Sequence, residues 1–262
     1  VATNHLFNAA PRDGTVVGIF AESQVINQLT GTSGVQFDFR AFNWLGSSYV
    51  DPHVCLVRSD AAMTDFRSMI GSRAAIAVGA TGPGSNTYAI PRLLAVATGA
   101  NFKVVSGYQT TSDVRIAVER GEVHGMCLGW ESVRSASSQW LDEGYAQVLV
   151  QVGLAAHPDL PDVPVAIEFA KDTASRMLLQ LVDAPGAFAK PFALPPGVDP
   201  ARVHLMRRAL QATYRDPAFL AEARSMKLEF QPKTAADIQR TVTDVLATPP
   251  DVAARYRQMV EP

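Results

Sequence analysis

Cysteine is scarce in this chain: Cys55 and Cys127 are the only two. They are too few for a disulfide framework and lack the close spacing of a metal site, and they leave both a single bridge and two buried thiols open. Charge of one sign is also lacking. The 23 Lys and Arg stand against 25 Asp and Glu, a formal net charge of −2, and no basic run is interleaved with aromatics, so no nucleic-acid surface is expected. No apolar run has the length needed to span a bilayer. His5, His53, His124, His157 and His204 form no pair at helical ligand spacing and have no Cys or acidic partners in a metal pattern. Neither a metal site nor a cofactor is expected.

What is present suits a substantial core. A hydrophobic fraction of 47% over 262 residues fits one large or two medium domains at roughly 150 residues each. The segment 15–20 reads as a buried strand after the Asp13-Gly14 turn, followed by a helix over 22–29 closed by Gly31. Further strands are predicted at 42–47, 54–57, 74–80, 103–106, 122–128 and 146–152, with helices over 86–97, 113–120 and 131–143 between the later ones. Ser112 is the expected cap of the second of these helices. Strands alternating with helices predict α/β architecture and a mainly parallel sheet covered on both faces. After the proline-rich loop 157–164 the chain turns helical, with Val203, Met206, Leu210 and Tyr214 at core-face spacing. The shift in character divides the chain into lobe 1 over 1–58, lobe 2 over 59–184 and a return to lobe 1 over 185–262, with hinge crossings near 57–61 and 183–189. A cleft between two lobes is a favoured ligand site.

The stretch from Ala74 to Thr87 carries the strongest functional signal. A strand runs into Thr81-Gly82-Pro83-Gly84-Ser85-Asn86-Thr87 and then a helix. Glycines bring bare backbone close to a ligand, and the first helical N–H groups face outward with the macrodipole behind them. Ser85 or Asn86 is the expected N-cap. Gly79 and Gly84 have Walker A spacing, but Ser85 stands where that loop needs lysine. Gly82 and Gly84 begin a dinucleotide fingerprint, but Thr87 occupies the third glycine position. A small anion, most simply a carboxylate, is the ligand left. A tight turn without any ligand stands beside that reading. Gly129-Trp130-Glu131-Ser132-Val133 lacks the closing glycine of a nucleophile elbow, so catalysis is not expected. Tyr108 and Trp130, each following a predicted strand, are candidates to line a cleft, with ordinary core packing as the alternative.

Taken in order, Ala10-Pro11-Arg12-Asp13-Gly14-Thr15, Gly82-Pro83-Gly84-Ser85, Gly107-Tyr108, Glu119-Arg120-Gly121-Glu122-Val123, Pro161-Asp162-Val163-Pro164 with Glu168, and Leu194-Pro195-Pro196-Gly197-Val198 resemble the substrate-binding proteins of tripartite tricarboxylate transporters, the periplasmic Bug receptors. The resemblance spans nearly the whole chain. It implies a type II periplasmic-binding-protein fold, two α/β lobes closing over a small carboxylated metabolite, in a periplasmic, monomeric receptor that serves membrane transporter components. It further implies that the second-lobe loop of the carboxylate clamp is 81–87, and that Phe20, Glu22 and Ser23 lie near the ligand. The first-lobe clamp loop of the family would lie upstream of Val1, so the N-terminal part of the fold is expected to be missing from this sequence. The chain departs from the family pattern at His124, where Asp is frequent, and at Gln109-Thr110-Thr111 after the tyrosine. An α/β enzyme acting on a small organic acid or phosphate ester is the alternative, and a ligand-free interaction domain a third.

Overall fold

The apolar runs become strands β1 (Gly18–Ile19), β2 (Asn43–Ser47), β3 (His53–Arg58), β4 (Ile76–Ala80), β5 (Phe102–Ser106), β6 (Gly125–Gly129), β7 (Ala146–Val152) and β8 (Phe192–Leu194), and the polar pair Lys233–Thr234 forms β9. The computed structural model describes residues 2–226, 228 and 230–260. It separates into two units, Val1–Asp51 with Ala184–Thr248, and Pro52–Asp183 with Pro249–Pro262.

In the first unit the described strands form one antiparallel sheet in the order β1-β8-β2-β9. Its core is aromatic. Phe20, Phe39, Phe42 and Trp44 are all buried and meet mostly edge-on or tilted, Phe39 and Trp44 with centroids 5.4 Å apart, which is how ring quadrupoles pack best. The strand predicted at 15–20 shortens to Gly18–Ile19, with Val17 40% and Ile19 54% exposed. At a sheet edge an apolar run has one face to bury at most. The helix Gln24–Thr30 ends at Gly31, as the sequence predicts. Of the helical face 203–214, Val203 is buried, while Met206, Leu210 and Tyr214 are half-buried, because helix Pro200–Thr213 lies on the outside of the sheet.

The second unit holds a five-stranded sheet in the order β5-β4-β6-β3-β7. β4 pairs in parallel with β5 and β6, whereas β3 runs antiparallel to β6 and β7. The mainly parallel sheet expected above is therefore half of one sheet. Periodicity marks β3 as a strand but does not reveal that it inserts between β6 and β7. That insertion moves β3 out of the expected first lobe, and the chain passes between units after Asp51 and Asp183. A third passage follows Thr248, because the helix Pro250–Val260 buries Val252, Tyr256 and Met259 and packs on the helix Asn86–Thr98.

Helix Asn86–Thr98 buries Ile90, Leu93, Leu94 and Ala97, about 1.5–3 kcal/mol for each large aliphatic side chain, and stops at the left-handed Gly99. Helix Thr111–Glu119 is capped by Thr110 in a reciprocal box with Asp113, so the expected Ser112 cap is displaced two residues upstream. The helix predicted over 131–143 breaks at Ser137 into Trp130–Ala136 and Ser138–Asp142. Cys55 and Cys127 sit directly opposite each other on β3 and β6, with Cα atoms 4.0 Å apart, and are joined by a disulfide.

Candidate functional site

The loop after β4 is shaped by its own hydroxyls. Gly82 and Gly84 take φ of +155° and +84°, conformations in which a side chain is strained. A Cβ at either position would meet nothing within 4 Å. The glycines therefore serve the turn and leave open space above it. The N–H of Thr81 donates to Thr87 Oγ1 at 3.1 Å, and Ser85 Oγ donates to the Gly82 carbonyl at 2.7 Å and lies 2.9 Å from Thr87 Oγ1. The Ser85 N–H is also spent on the Gly82 carbonyl, at 3.2 Å.

Ser85 occupies the N-cap position but makes no side-chain cap bond, contrary to the expected capping role; neither does Asn86, which is the first helical residue. The Ser85 hydroxyl is turned back into the loop. The N–H of Thr87, which an N-cap hydroxyl could have taken, and those of Gly82, Gly84 and Asn86 have no protein acceptor among the described residues. Pro83 and Gly84 are exposed and Thr81, Gly82, Ser85 and Asn86 half-buried, while Thr87 is buried at 6%. Unspent donors in this loop and in the first turn of the 13-residue helix that follows it are suited to a carboxylate, which accepts charge-assisted bonds from such groups.

Register shows what lies beside the loop. Ala80 is opposite Ser106 across β4 and β5, so the chains at Thr81 and Gly107 leave the sheet side by side. Gly79 is opposite Met126, which puts the end of β6 and Trp130 on that same edge. This is the carboxyl edge of the parallel strands, the usual ligand edge of such sheets.

The two aromatic candidates are both anchored in the protein. The Tyr108 ring packs on the core at Gly79, where an added Cβ would come 3.4 Å from Tyr108 Cε2. Burial raises its pKa, with the nearby Glu122 carboxylate adding to the rise. Trp130 is 5% exposed and its Nε1 donates to Asp159 Oδ2 at 3.2 Å, an oxygen that also takes Arg134 Nη1 at 3.0 Å. The packing alternative considered for both residues thus has direct contacts behind it.

Phe20, Glu22 and Ser23 belong to the first unit. Phe20 is a member of the aromatic core, and Ser23 precedes helix Gln24–Thr30 without making a cap bond. Glu22 is a buried carboxylate, its pKa raised by burial against the opposing pull of backbone donors and Lys190. It accepts the N–H of Lys190 at 3.3 Å, a lysine held at φ +46°, where L-residues are disfavoured by about 1–2 kcal/mol. The Lys190 ammonium stands 5.7 Å from the Tyr49 ring. Sequence reasoning missed Tyr49 and Lys190. They flank two different strands, and the bridge between Tyr49 and Ala189 is what brings them together.

No protein-family model matches the sequence, and no curated protein is similar to it in sequence. Solved structures are similar in fold. BugD, a periplasmic binding protein, superposes with a TM-score of 0.70 at 17% identity, over 99% of this chain and 83% of its own. MatC from Rhodopseudomonas palustris, solved with malate, gives 0.66 at 18% over 99% and 82%. A further R. palustris protein, solved with adipate, gives 0.68 at 16% over 98% and 82%. At such identities the likeness establishes architecture, and the chain has the α/β fold of type II periplasmic binding proteins such as BugD.

Proposed function

We propose that the protein is a periplasmic solute-binding receptor of the Bug type, which captures a small carboxylate and hands it to a membrane transporter of the tripartite tricarboxylate class. The observation that carries this reading is the set of N–H groups at Gly82, Gly84, Asn86 and Thr87 that have no protein acceptor among the described residues, beside a Ser85 hydroxyl that bonds back to Gly82. Malate and adipate in two proteins of similar fold support a carboxylate as the anion. The Cys55–Cys127 disulfide supports an oxidising compartment such as the periplasm.

Binding free energy comes from charge-assisted hydrogen bonds to donors already fixed by the turn, so little ordering is needed when ligand arrives. No covalent step belongs to this reading. The loop hydroxyls of Thr81, Ser85 and Thr87 bond to one another and to the Gly82 carbonyl, an arrangement without a base to activate any of them.

Asn86→Pro tests the reading with little structural cost. Proline is favoured at the first helical position, where it deletes one N–H, and the preceding Ser85 already has the extended backbone proline demands, φ −97° and ψ 152°. Calorimetric titration with adipate and malate should give saturable binding to the parent and binding about tenfold weaker in the variant, with an unchanged melting temperature. Turnover of either acid, or equal affinity in both proteins, would contradict the reading.

A further inference from the structure

We propose that the first unit carries a second ligand site, a groove of about 170 Å³ lined by Leu45, Leu210, Gln211, Tyr214, Arg215, Pro232, Lys233 and Thr234, which takes a small carboxylate borne on an apolar body. The inference is independent of the receptor reading and uses none of its residues.

The groove is built by a close approach. β9 lies against β2 with Lys233 opposite Ser47 and Thr234 opposite Gly46. At Gly46, held at φ +154°, an added Cβ would stand 2.9 Å from the Lys233 carbonyl and 3.2 Å from Leu210 Cδ2. The absent side chain lets helix Pro200–Thr213 and β9 converge over the buried Leu45. One wall is rigid: the Tyr214 ring is held edge-on by Phe230 at 5.1 Å, with Phe219 at 6.2 Å. Its hydroxyl is buried, beside Ser48, and burial pushes its pKa up to about 12, so this wall stays uncharged.

The chemistry of the lining is one-sided. Leu45, Leu210, Pro232 and the Tyr214 ring make an apolar floor, and Arg215 and Lys233 supply two cations, with no acidic residue among the lining residues. Among the described residues, two neighbouring acids are engaged: Asp216 caps helix Pro217–Ser225, and Asp237 is bonded to Thr234 and Arg240 while feeling the Lys233 charge. The volume lies below the about 300–1,000 Å³ of drug-sized sites, which restricts the occupant to one ring or a short branched chain. A ring on the floor with its carboxylate at Arg215 and Lys233 satisfies both halves of the lining.

Benzoate is the probe, with benzyl alcohol as its uncharged counterpart, read by backbone amide shifts of the full chain. Benzoate should give saturable shifts confined to 210–215 and 233–234 in this unit, and benzyl alcohol should bind about tenfold more weakly. Lys233→Glu should weaken benzoate there by at least about tenfold, with the melting temperature reporting that the fold persists. Lys233→Gln, a milder change, should fall between. Absence of saturable shifts at these residues, equal binding of the alcohol, or unchanged affinity in Lys233→Glu overturns the proposal.

Discussion

Thr87 Oγ1 accepts the Thr81 N–H at 3.1 Å, so a single buried hydroxyl ties the end of β4 to the first turn of the helix that follows. The loop between them is held by this bond and by the Ser85 contacts to Gly82 and Thr87. Replacing Thr87 with valine keeps the shape and removes the acceptor. The half-buried Thr81 N–H left without a partner costs about 1 kcal/mol, the low end of the range for a buried donor. Chemical denaturation should report that loss, and adipate titration a larger loss of affinity than the stability change alone explains, since the loop donors lose their common anchor.

The Cys55–Cys127 bond closes a loop with a sequence separation of 72, for which restriction of the unfolded chain amounts to roughly 4 kcal/mol. The pair joins the antiparallel and parallel halves of the second unit's sheet. The double variant Cys55→Ser, Cys127→Ser should unfold at distinctly lower urea, and reductant should move the parent toward the variant while leaving the variant unchanged.

His53 is 5% exposed on β3, and burial lowers its pKa to about 4. Between pH 6.5 and about 4 the unfolded chain takes up a proton that the folded one refuses. Stability supplied by the neutral imidazole is thus present above pH 6.5 and falls as pH drops through that window, by on the order of 3 kcal/mol. Urea midpoints of His53→Gln measured from pH 7 to 4 should show a flatter acid limb than the parent.

Asp183 has the opposite sign. It ends helix Thr173–Asp183, and burial raises its pKa to about 6, opposed by the Leu154 N–H it accepts. The folded state holds the proton between 3.8 and about 6, so its contribution is favourable below pH 3.8 and is lost as pH rises through about 6. Above that pH a half-buried carboxylate sits at the negative end of a helix. Asp183→Asn should stabilise the protein at pH 7 by about 2 kcal/mol and have little effect near pH 4. An effect independent of pH would contradict this assignment.

The glycine loop was legible because its chemistry is local: glycine, serine and threonine between a strand and a helix specify a turn within their own few residues. Its hydrogen-bond allocation was not, since Ser85 at an N-cap position is as able to bond backward to Gly82 as forward into the helix. Partners distant in sequence were the hardest to read. Nothing in β3 marks it for insertion between β6 and β7, and without that register the sequence leaves a bridge between Cys55 and Cys127 and two buried thiols equally open. Tyr108 and Trp130 were placed correctly after strands, but position along the chain does not tell which way a ring points; the packing of Tyr108 at Gly79 and the Asp159 bond of Trp130 are contacts distant in sequence. The short β1 and the break at Ser137 show the same limit, where tertiary contacts override an apolar or helical run.

The account turns on whether the amides of Gly82, Gly84, Asn86 and Thr87 are the groups that meet the anion. Titrating the ¹⁵N-labelled protein with adipate tests this most directly. The amide signals of these four residues should shift together and saturate at one dissociation constant, while Thr81 and Ser85, whose N–H groups are already bonded, should move less. Saturable binding that leaves these four signals in place would contradict the account.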